Sequence, residues 1–282
     1  MSGSINVRAE YALPADKPAL RELFDLCFPG ESGFSKWYFD NVWRSDNTLV
    51  IRQSGEIVSA LQMLPMELEH GGDRISGCYI FAVGTHPNHQ GEGLAGKLIQ
   101  ASFDECRRRG LDFSALIVQQ SSLTDYYSRF GYEPIFTVRR SIIPAAPCAG
   151  EIVPVEQTHI PELDRVYRQS AEGLLFDSRS EARWSAQMDS YKALALRVDG
   201  GVTSYCFYDI RGGRLFAAEA CGEHAEALVA AAAELEGKKE ACMLTIDRDG
   251  IGEAIGCFMP LSRRAEQLRS SALGFYLNLY YN

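Results

Sequence analysis

The stretch HPNHQGEGLAGKL, residues 86–98, constrains the fold more than any other part of the sequence. It follows the apolar run ISGCYIFAVGT (residues 75–85), which predicts a central strand. It leads into an amphipathic segment from Leu94, which three arginines and Gly110 end as at a helix C-terminus. The sequence therefore predicts a strand, a short polar bend, and a helix whose first amides are left accessible by small residues.

Two nucleotide-binding motifs match this stretch, but its context argues against both. Residues 91–97 match G-x-x-x-x-G-K of the P-loop, but Leu98 stands where a Ser or Thr hydroxyl would hold magnesium. The glycines also spell G-x-G-x-x-G of dinucleotide-binding folds, but the bend of residues 86–90 separates them from the strand. That fold expects an acidic residue after the next strand, whereas Asp112 precedes that strand.

A third pattern, Gln90-x-x-Gly93-x-Ala95, fits the flanking elements. Small residues let a pyrophosphate approach the free amides at a helix N-terminus without a metal ion, and the side chain of Gln90 adds a further donor. The residues predicted to hold the pyrophosphate are Gln90, Gly91, Glu92, Gly93, Leu94, Ala95, Gly96 and Lys97.

With this loop in place, residues 5–140 resemble the GNAT superfamily of acetyl-CoA-dependent N-acetyltransferases. FAVGTHPNHQGEGLAGKLI resembles the principal motif of the family. QQSSLTDYYSRFGYEPI resembles the motif that follows it, in which a tyrosine, here Tyr127, lies four residues before the closing glycine. The resemblance implies a mixed α/β sheet of the GNAT fold, with acetyl-CoA as cosubstrate. The implied reaction is direct transfer of an acetyl group to the primary amine of a small cationic molecule or a peptide.

The resemblance also implies roles for individual residues. Pantetheine would pair with the backbone of Val83, Gly84 and Thr85, and it would contact Gln120 and Ser122. The family often has asparagine where this chain has Gln120. For the chemistry, we expect the backbone amide of Thr85 to hold the oxyanion and Tyr127 to protonate the leaving thiolate.

The general base and the amine-binding wall are less sharply defined. Glu67 and Glu69 are two candidate bases. A third is the C-terminal carboxylate of Asn282, which is implied by similarity to acetyltransferases of the enhanced-intracellular-survival type, whose C-terminal carboxylate enters the active site. The aromatic segment GFSKWYFDNVW contributes Trp37, Tyr38 and Trp43 as predicted substrate contacts. The alternative is that these rings belong to the core.

The second half of the sequence repeats the order of elements found in the first. We predict a catalytic GNAT domain over residues 1–145, a linker within IIPAAPCAG (142–150), and a degenerate GNAT-like domain over residues 151–282 that lines the substrate cleft. The loop at residues 222–226 carries two carboxylates, so we place catalysis in the first half. This layout is similar to acetyltransferases of the enhanced-intracellular-survival type, but we expect no counterpart of their third domain.

Composition limits the remaining possibilities. A formal net charge of −9 argues against a nucleic-acid partner, and eight scattered cysteines without a C-x-x-C pair argue against a metal site. We predict no membrane segment and a cytoplasmic location, because the sequence has neither a long apolar run nor a signal peptide. A non-catalytic acyl-CoA-binding sensor or regulatory protein is the alternative function. No feature of the sequence indicates an oligomeric state.

Overall fold

The structure is a computed structural model that describes residues 8–120 and 122–279. The elements of the first half are β1 (Ala9–Tyr11), α1 (Lys17–Cys27), α2 (Ser32–Asn41), β2 (Thr48–Gln53), β3 (Glu56–His70), β4 (Asp73–Thr85), α3 (Leu94–Arg108), β5 (Phe113–Ile117), α4 (Leu123–Ser128) and β6 (Glu133–Pro144). Those of the second half are β7 (Glu151–Pro154), α5 (Ile160–Ser170), β8 (Leu175–Asp177), α6 (Glu181–Ser190), β9 (Lys192–Val198), β10 (Gly201–Arg211), β11 (Arg214–Gly222), α7 (Ala225–Leu235), β12 (Glu240–Ile246), β13 (Glu253–Pro260), α8 (Arg263–Ser271) and β14 (Phe275–Tyr276).

All of these strands belong to one mixed sheet, which confirms the predicted α/β class. Along its main path the strands follow the order β1-β2-β3-β4-β5-β13-β6-β12-β11-β10-β9-β7, while β8 pairs with β3 and β14 pairs with β8. Helix α3 covers one face of the first half through Leu94, Leu98 and Phe103. Helix α1 covers the opposite face through Leu20 and Phe24. The two faces of the sheet in the first half are therefore covered by different helices.

The two halves of the chain exchange strands at the centre of the sheet. Strand β13 lies between β5 and β6, with Cys257 opposite Leu116 in β5. Strand β6 continues beyond β13 and pairs with β12 of the second half from Val138 to Pro144. Each half therefore completes its sheet with a strand from the other half, which a pairing of neighbours along the sequence does not predict.

This exchange corrects the predicted linker within residues 142–150. Ile142, Ile143 and Pro144 are the last residues of β6, paired with Cys242, Ala241 and Glu240. The linker prediction was wrong at these positions because Pro144 was taken as a chain breaker. It ends an already formed strand, where a missing N–H does no harm.

Most other local predictions are confirmed to within a few residues. Apolar spacing predicts a helix near residues 16–28 and another from Leu94 to Arg109, and α1 (Lys17–Cys27) and α3 (Leu94–Arg108) confirm both. The Ser54-Gly55 pair predicts a turn, and this turn joins β2 to β3. The sequence also predicts a strand over residues 5–9, which lies mostly outside the described residues, and β1 begins at Ala9. No helix in the described part of the chain has both the length and the apolar character needed to cross a bilayer.

The strand exchange predicts that residues 1–150 will not fold by themselves. This fragment lacks β13, so β5 loses its neighbour on one edge, and β6 loses the pairing with β12. We expect the fragment to show no cooperative thermal unfolding by circular dichroism, because two strands are left with unpaired backbone groups.

A matched control distinguishes the effect of removing the second half from the effect of cutting the chain. A protease site inserted between the exposed Pro147 and the half-buried Cys148 allows the folded protein to be cut there. The two cut parts should stay together and unfold cooperatively. A fragment of residues 1–150 that unfolds as sharply as the full chain would contradict this account.

Candidate active site

The candidate site lies where β4 and β5 part. These parallel strands pair only from Gly77 to Tyr79 and from Phe113 to Ala115. Beyond that point β4 continues to Thr85 alongside β3, and β5 continues to Ile117 alongside β13. A gap therefore opens between β4 and β5, while each strand stays paired with its other neighbour. An extended ligand in this gap could reach the unpaired backbone groups of both strands.

A β-bulge lies in β4 at this gap. Gly84 is opposite Ala60 and Phe81 is opposite Gln62, so β4 carries one residue more than β3 between these pairs. Ala82, inside the bulge, has φ +50°, a conformation that a residue with a Cβ rarely adopts. Backbone strain of this kind occurs often at functional sites, and no pattern in the sequence predicted it.

The register beyond the bulge shows which way the backbone of Thr85 points. The amide of His86 donates to the carbonyl of Val58 at 2.8 Å, which makes these two residues a hydrogen-bonded pair. Ser59 and Thr85, one step along, are then a non-hydrogen-bonded pair, whose amides and carbonyls point away from each other. The amide of Thr85 is thus directed towards the gap, as an oxyanion donor would need to be.

The loop that follows β4 and the start of α3 carry a row of unpaired backbone amides. The first intrahelical hydrogen bond is from the amide of Lys97 to the carbonyl of Gly93, at 3.2 Å. Within the described residues, none of the amides of residues 91–96 donates to an acceptor. Gly91 and Gly93 have φ +82° and +74°, a region that glycine enters without strain. Free amides at the positive end of a helix form an anion site, so the predicted pyrophosphate loop has a suitable geometry.

The side chains of the loop leave these amides open. The carboxylate of Glu92 accepts hydrogen bonds from Gln53 at 2.8 Å and from His89 at 3.2 Å. The hydrogen bond from Gln53, assisted by His89, lowers the pKa of Glu92. Gln90 donates one amide hydrogen to the carbonyl of Thr85 at 3.4 Å, and Lys97 is exposed one turn into the helix.

Helix α4 packs against β6 and β13 on the α3 side of the sheet. The ring of Tyr127 packs edge-on against Tyr132, with ring centres 5.8 Å apart, and it packs with the cluster of apolar residues under α3. No hydrogen bond to its hydroxyl is found within the described residues, and the side chain is half-buried. Burial is the main cause that raises the pKa of Tyr127, and the nearby Tyr126 and Cys257 raise it further. The phenol therefore stays protonated at neutral pH, as a general acid must.

The residues predicted alongside Tyr127 occupy the same end of the sheet. Gln120 and Ser122 are exposed at the turn that leads into α4, and the carbonyl of Gln120 accepts from the amide of Leu123 at 3.0 Å. Val83 packs with the apolar cluster beneath α3. Residues of β4, of the start of α3 and of α4 thus share one apolar cluster, which brings these three elements together.

Two residues at this opening were missed by the sequence reasoning. The thiol of Cys27, at the end of α1, donates to the carbonyl of Thr85 at 3.5 Å, and burial raises the pKa of Cys27. Cys257 lies on β13, and it influences the pKa of Tyr127 from the second half of the chain. A periodicity argument could assign both only to the core, because their proximity to β4 and α4 depends on non-local pairing.

The aromatic residues of α2 lie on the opposite face of the sheet from α3. Tyr38 has no exposed surface, and its ring centre is 5.1 Å from that of Phe81, next to the bulge. Trp37 and Trp43 are half-buried at the edge of the same cluster. Tyr38 is therefore part of the core wall, whereas the two tryptophans keep surface that a substrate could touch.

The candidate bases on β3 lie far from this opening. Glu69 is ten residues along β3 from Ser59, the partner of Thr85, which is roughly 33 Å along an extended strand. Burial would raise the pKa of Glu69, but Arg168 at 2.8 Å and Arg74 at 3.0 Å outweigh burial and lower it. Glu67 is exposed beside the same Arg74. Asn282 lies outside the described residues, so its carboxylate stays a predicted base.

The second half has the matching bulge, but a buried ion pair fills its surroundings. Glu219 follows the bulge in β11 and accepts two hydrogen bonds from Arg179, at 2.6 and 2.7 Å, with both side chains fully buried. The Arg179 guanidinium stacks on Tyr167, 4.1 Å from the ring centre. Burial would raise the pKa of Glu219, but Arg179 more than offsets it and lowers the pKa. This ion pair thus occupies the space behind the bulge of the second half.

Comparison with known proteins agrees with this geometry. Residues 9–135 match the family model of an acetyltransferase (GNAT) domain. A search of the curated proteins gave no match. Within the described residues, no three His, Cys, Asp or Glu side chains are grouped so that they could hold a metal ion.

The whole fold is similar to several solved structures. A GCN5-related N-acetyltransferase from Anabaena variabilis is 19% identical, with a TM-score of 0.70 over 91% of this chain and 73% of that chain. Eis1 from Mycobacterium abscessus is 14% identical, with a TM-score of 0.62 over 90% and 73%. N-myristoyltransferase from Saccharomyces cerevisiae, with bound myristoyl-CoA, is 9% identical, with a TM-score of 0.59 over 90% and 79%. At these identities the likeness establishes a shared fold across both halves.

The loop geometry predicts that Gly93→Ala weakens CoA binding. A Cβ at φ +74° costs about 1–2 kcal/mol, and relief of this strain would turn the amides of the loop away from the anion. We expect the dissociation constant for CoA to rise about tenfold or more in calorimetry, since 1.4 kcal/mol corresponds to tenfold.

Gly72→Ala is the matched control, because Gly72 has φ +88° in the turn between β3 and β4, away from the loop. It should lower the melting temperature by a similar amount and leave CoA affinity unchanged. Equal CoA affinity in both variants would argue against the loop as the binding site.

Proposed function

We propose that this chain, whose residues 9–135 form a GNAT domain, transfers an acetyl group from acetyl-CoA directly to a primary amine. The observation that carries the proposal is the row of unpaired amides at residues 91–96, at the start of the helix that follows β4 beyond the point where β4 and β5 separate. The match of residues 9–135 to an acetyltransferase family model supports acyl transfer as the reaction. That the donor is acetyl-CoA and the acceptor an amine is what we propose in addition.

The donor would bind with its pyrophosphate on the loop and its pantetheine in the gap. The amides of residues 91–96 match the charge and the acceptor oxygens of a pyrophosphate, and Lys97 is close enough to lower the pKa of Glu92. The backbone of Val83, Gly84 and Thr85 borders the gap and would pair with pantetheine amides in place of the missing strand neighbour. This route brings the thioester next to the bulge and Tyr127.

The reaction requires three functions at that point. The amine nitrogen attacks the thioester carbonyl carbon, and the amide of Thr85 would stabilise the negative oxygen that forms there. When the tetrahedral intermediate collapses, the C–S bond breaks and the thiolate takes a proton from the Tyr127 hydroxyl. The attacking amine loses a proton to a base, for which the C-terminal carboxylate of Asn282 stays the candidate. The products are CoA and an acetylated amine.

The acceptor would approach from the α2 side of the sheet. The half-buried rings of Trp37 and Trp43 offer surfaces on which a cationic group can stack. The net charge of −9 favours a cationic acceptor over an anionic one. We therefore propose a small cationic amine or a peptide amine. Tyr38 contributes to the wall behind these rings, since it is fully buried.

One observation supports a second candidate function, that of an acyl-CoA-binding sensor. Within the described residues, the carboxylates that the sequence offered as bases, Glu67 and Glu69, lie roughly 27–33 Å from Thr85 along β3. A protein that binds acyl-CoA without transferring the acyl group would also show this arrangement. A sensor and an enzyme differ in whether an amine releases the thiol of CoA.

A thiol-release assay tests the proposed function. With acetyl-CoA and a panel of polyamines, aminoglycosides and peptide amines, at least one amine should accelerate the appearance of free CoA thiol. Tyr127→Phe should lower this rate by about 10²-fold, which is the usual contribution of a general acid, and should leave CoA affinity nearly unchanged.

Tyr126→Phe is the matched control for that variant. Tyr126 is adjacent in sequence, but its hydroxyl lies near Gly96, 4.0 Å from the position that a Cβ would take there. Its removal should change turnover far less than that of Tyr127. CoA binding without amine-dependent thiol release would favour the sensor, and full turnover in Tyr127→Phe would remove Tyr127 from the mechanism.

The raised pKa of Tyr127 predicts the shape of the pH profile. Burial moves the pKa above the ordinary phenol value of about 10, so the acid form persists throughout the usual assay range. The rate should rise with pH as the acceptor amine loses its proton, and it should not fall again before about pH 10. A decline below about pH 9, in a protein still folded by circular dichroism, would contradict Tyr127 as the proton donor.

A further inference from the structure

The second half contains an open cavity at the position that corresponds to the donor site of the first. Strands β11 and β12 pair only from Leu215 to Ala217 and from Ala241 to Met243, and then separate. Helix α7 begins just beyond β11, as α3 does beyond β4. A cavity of about 580 Å³ lies at this opening, a volume typical of small-molecule sites.

This cavity does not reproduce the amide row of the first half. The amide of Gly222 donates to the hydroxyl of Ser170 at 3.1 Å, and the amide of His224 donates to the hydroxyl of Ser204 at 2.8 Å. Glu223, which lies between them, contributes its side chain to the lining. Two loop amides are thus already used by the protein, so a ligand here would be held by side chains instead of by the loop.

Two arginines on different elements supply the charge. Arg165 on α5 and Arg248 after β12 both line the cavity, and Glu223 is the single acidic residue among the lining side chains. The guanidinium of Arg165 donates to the amide oxygen of Gln169 at 2.9 Å and to the carbonyl of Val202 at 2.6 Å. That of Arg248 donates to the backbone carbonyls of Ser170 and Glu172.

These contacts hold the arginines in place without neutralising them. Within the described residues, neither guanidinium has a carboxylate oxygen within 4.0 Å. Each retains N–H donors that its two neutral acceptors do not use, since an arginine carries five. Two fixed and unneutralised guanidiniums at one cavity, in a chain of net charge −9, are suited to an oxyanion.

Part of the remaining lining is apolar, and Gln169, Ser170, Thr203 and Thr245 add neutral polar groups to it. Val166, Val202, Ala220 and Cys221 are buried, and Ile246 is half-buried, so they form one wall of the cavity. A free inorganic anion would leave this wall unused. A ligand with an organic body next to its charged group would cover it and gain from burial of apolar surface.

We propose that this cavity binds a small phosphate monoester, with its phosphate on Arg165 and Arg248 and its organic body against the apolar wall. A phosphate monoester carries close to two negative charges at neutral pH, which matches two guanidiniums better than a carboxylate does. The site is separate from the proposed acetyl-CoA site and does not depend on acyl transfer. It gives the second half a binding function of its own.

Calorimetry of the full chain with phenyl phosphate, inorganic phosphate and benzoate tests this proposal. Phenyl phosphate should bind with a stoichiometry of one and more tightly than either other probe, because it alone combines the dianion with an apolar body. Arg248→Gln and Arg165→Gln should each weaken its binding by about tenfold or more, as expected for loss of a charged hydrogen-bond donor. Arg264→Gln, an exposed arginine of α8 outside the cavity, should leave binding unchanged.

A gain-of-affinity variant protects the test against misfolding of the arginine variants. Glu223→Gln removes the acidic side chain from the lining and should tighten phenyl phosphate binding several-fold at low salt. Gly93→Ala, which alters the first-half loop, should not affect the probe. Absence of phenyl phosphate binding, benzoate binding as tight as phenyl phosphate, or an affinity unchanged by both Arg248→Gln and Glu223→Gln would overturn the proposal.

Discussion

Strand β13 is the element on which the candidate site depends. Strand β5 pairs with β4 over three residues only, so most of its backbone hydrogen bonds on the sheet are made with β13, from Phe113 to Ile117. Just beyond, the amide of Val118 donates to the carbonyl of Ile255 at 2.8 Å and extends this support. Because β13 holds β5 from the outer side, β5 can separate from β4 without leaving the sheet. The gap proposed to receive pantetheine is thus maintained by the second half of the chain.

The two halves use the same strand arrangement with different polar chemistry. In the first half the amides before α3 are free, and the surroundings of the bulge are apolar and aromatic. In the second half serine hydroxyls take up two loop amides, and the Arg179–Glu219 pair fills the space behind the bulge. Such a buried pair is costly to break, since either partner alone would be an uncompensated buried charge. The first half therefore suits a pyrophosphate and catalysis, whereas the second half suits a separate anion bound by side chains.

Local signals in the sequence were sufficient for the elements that carry the loop. The glycines before Leu94, the apolar spacing along α3 and the Gly110 stop predicted that helix to within one residue. The dipeptides Ser54-Gly55 and Asp199-Gly200 are typical of hairpin turns, and the structure has a turn at each, with positive φ at all four residues. In these cases the residues that determine the structure are neighbours in the chain.

The sequence did not predict the features that depend on distant partners. The pairing of Cys257 with Leu116 joins strands some 140 residues apart, and no pattern within either strand indicates it. The bulge at Ala82 was missed because alanine rarely takes a positive φ. The complete burial of Tyr38 was not evident either, because an aromatic residue in a short helix is equally compatible with a binding wall.

Nuclear magnetic resonance of the full chain with ¹⁵N-labelled glycine, titrated with acetyl-CoA, tests the central claim most directly. Gly84, Gly91, Gly93 and Gly96 report on the first-half site, and Gly222 reports on the corresponding loop of the second half. The account predicts large shifts for the amides of Gly91, Gly93 and Gly96 at one equivalent of acetyl-CoA, with Gly222 unmoved. Shifts at Gly222 without shifts at Gly91 and Gly93 would contradict it.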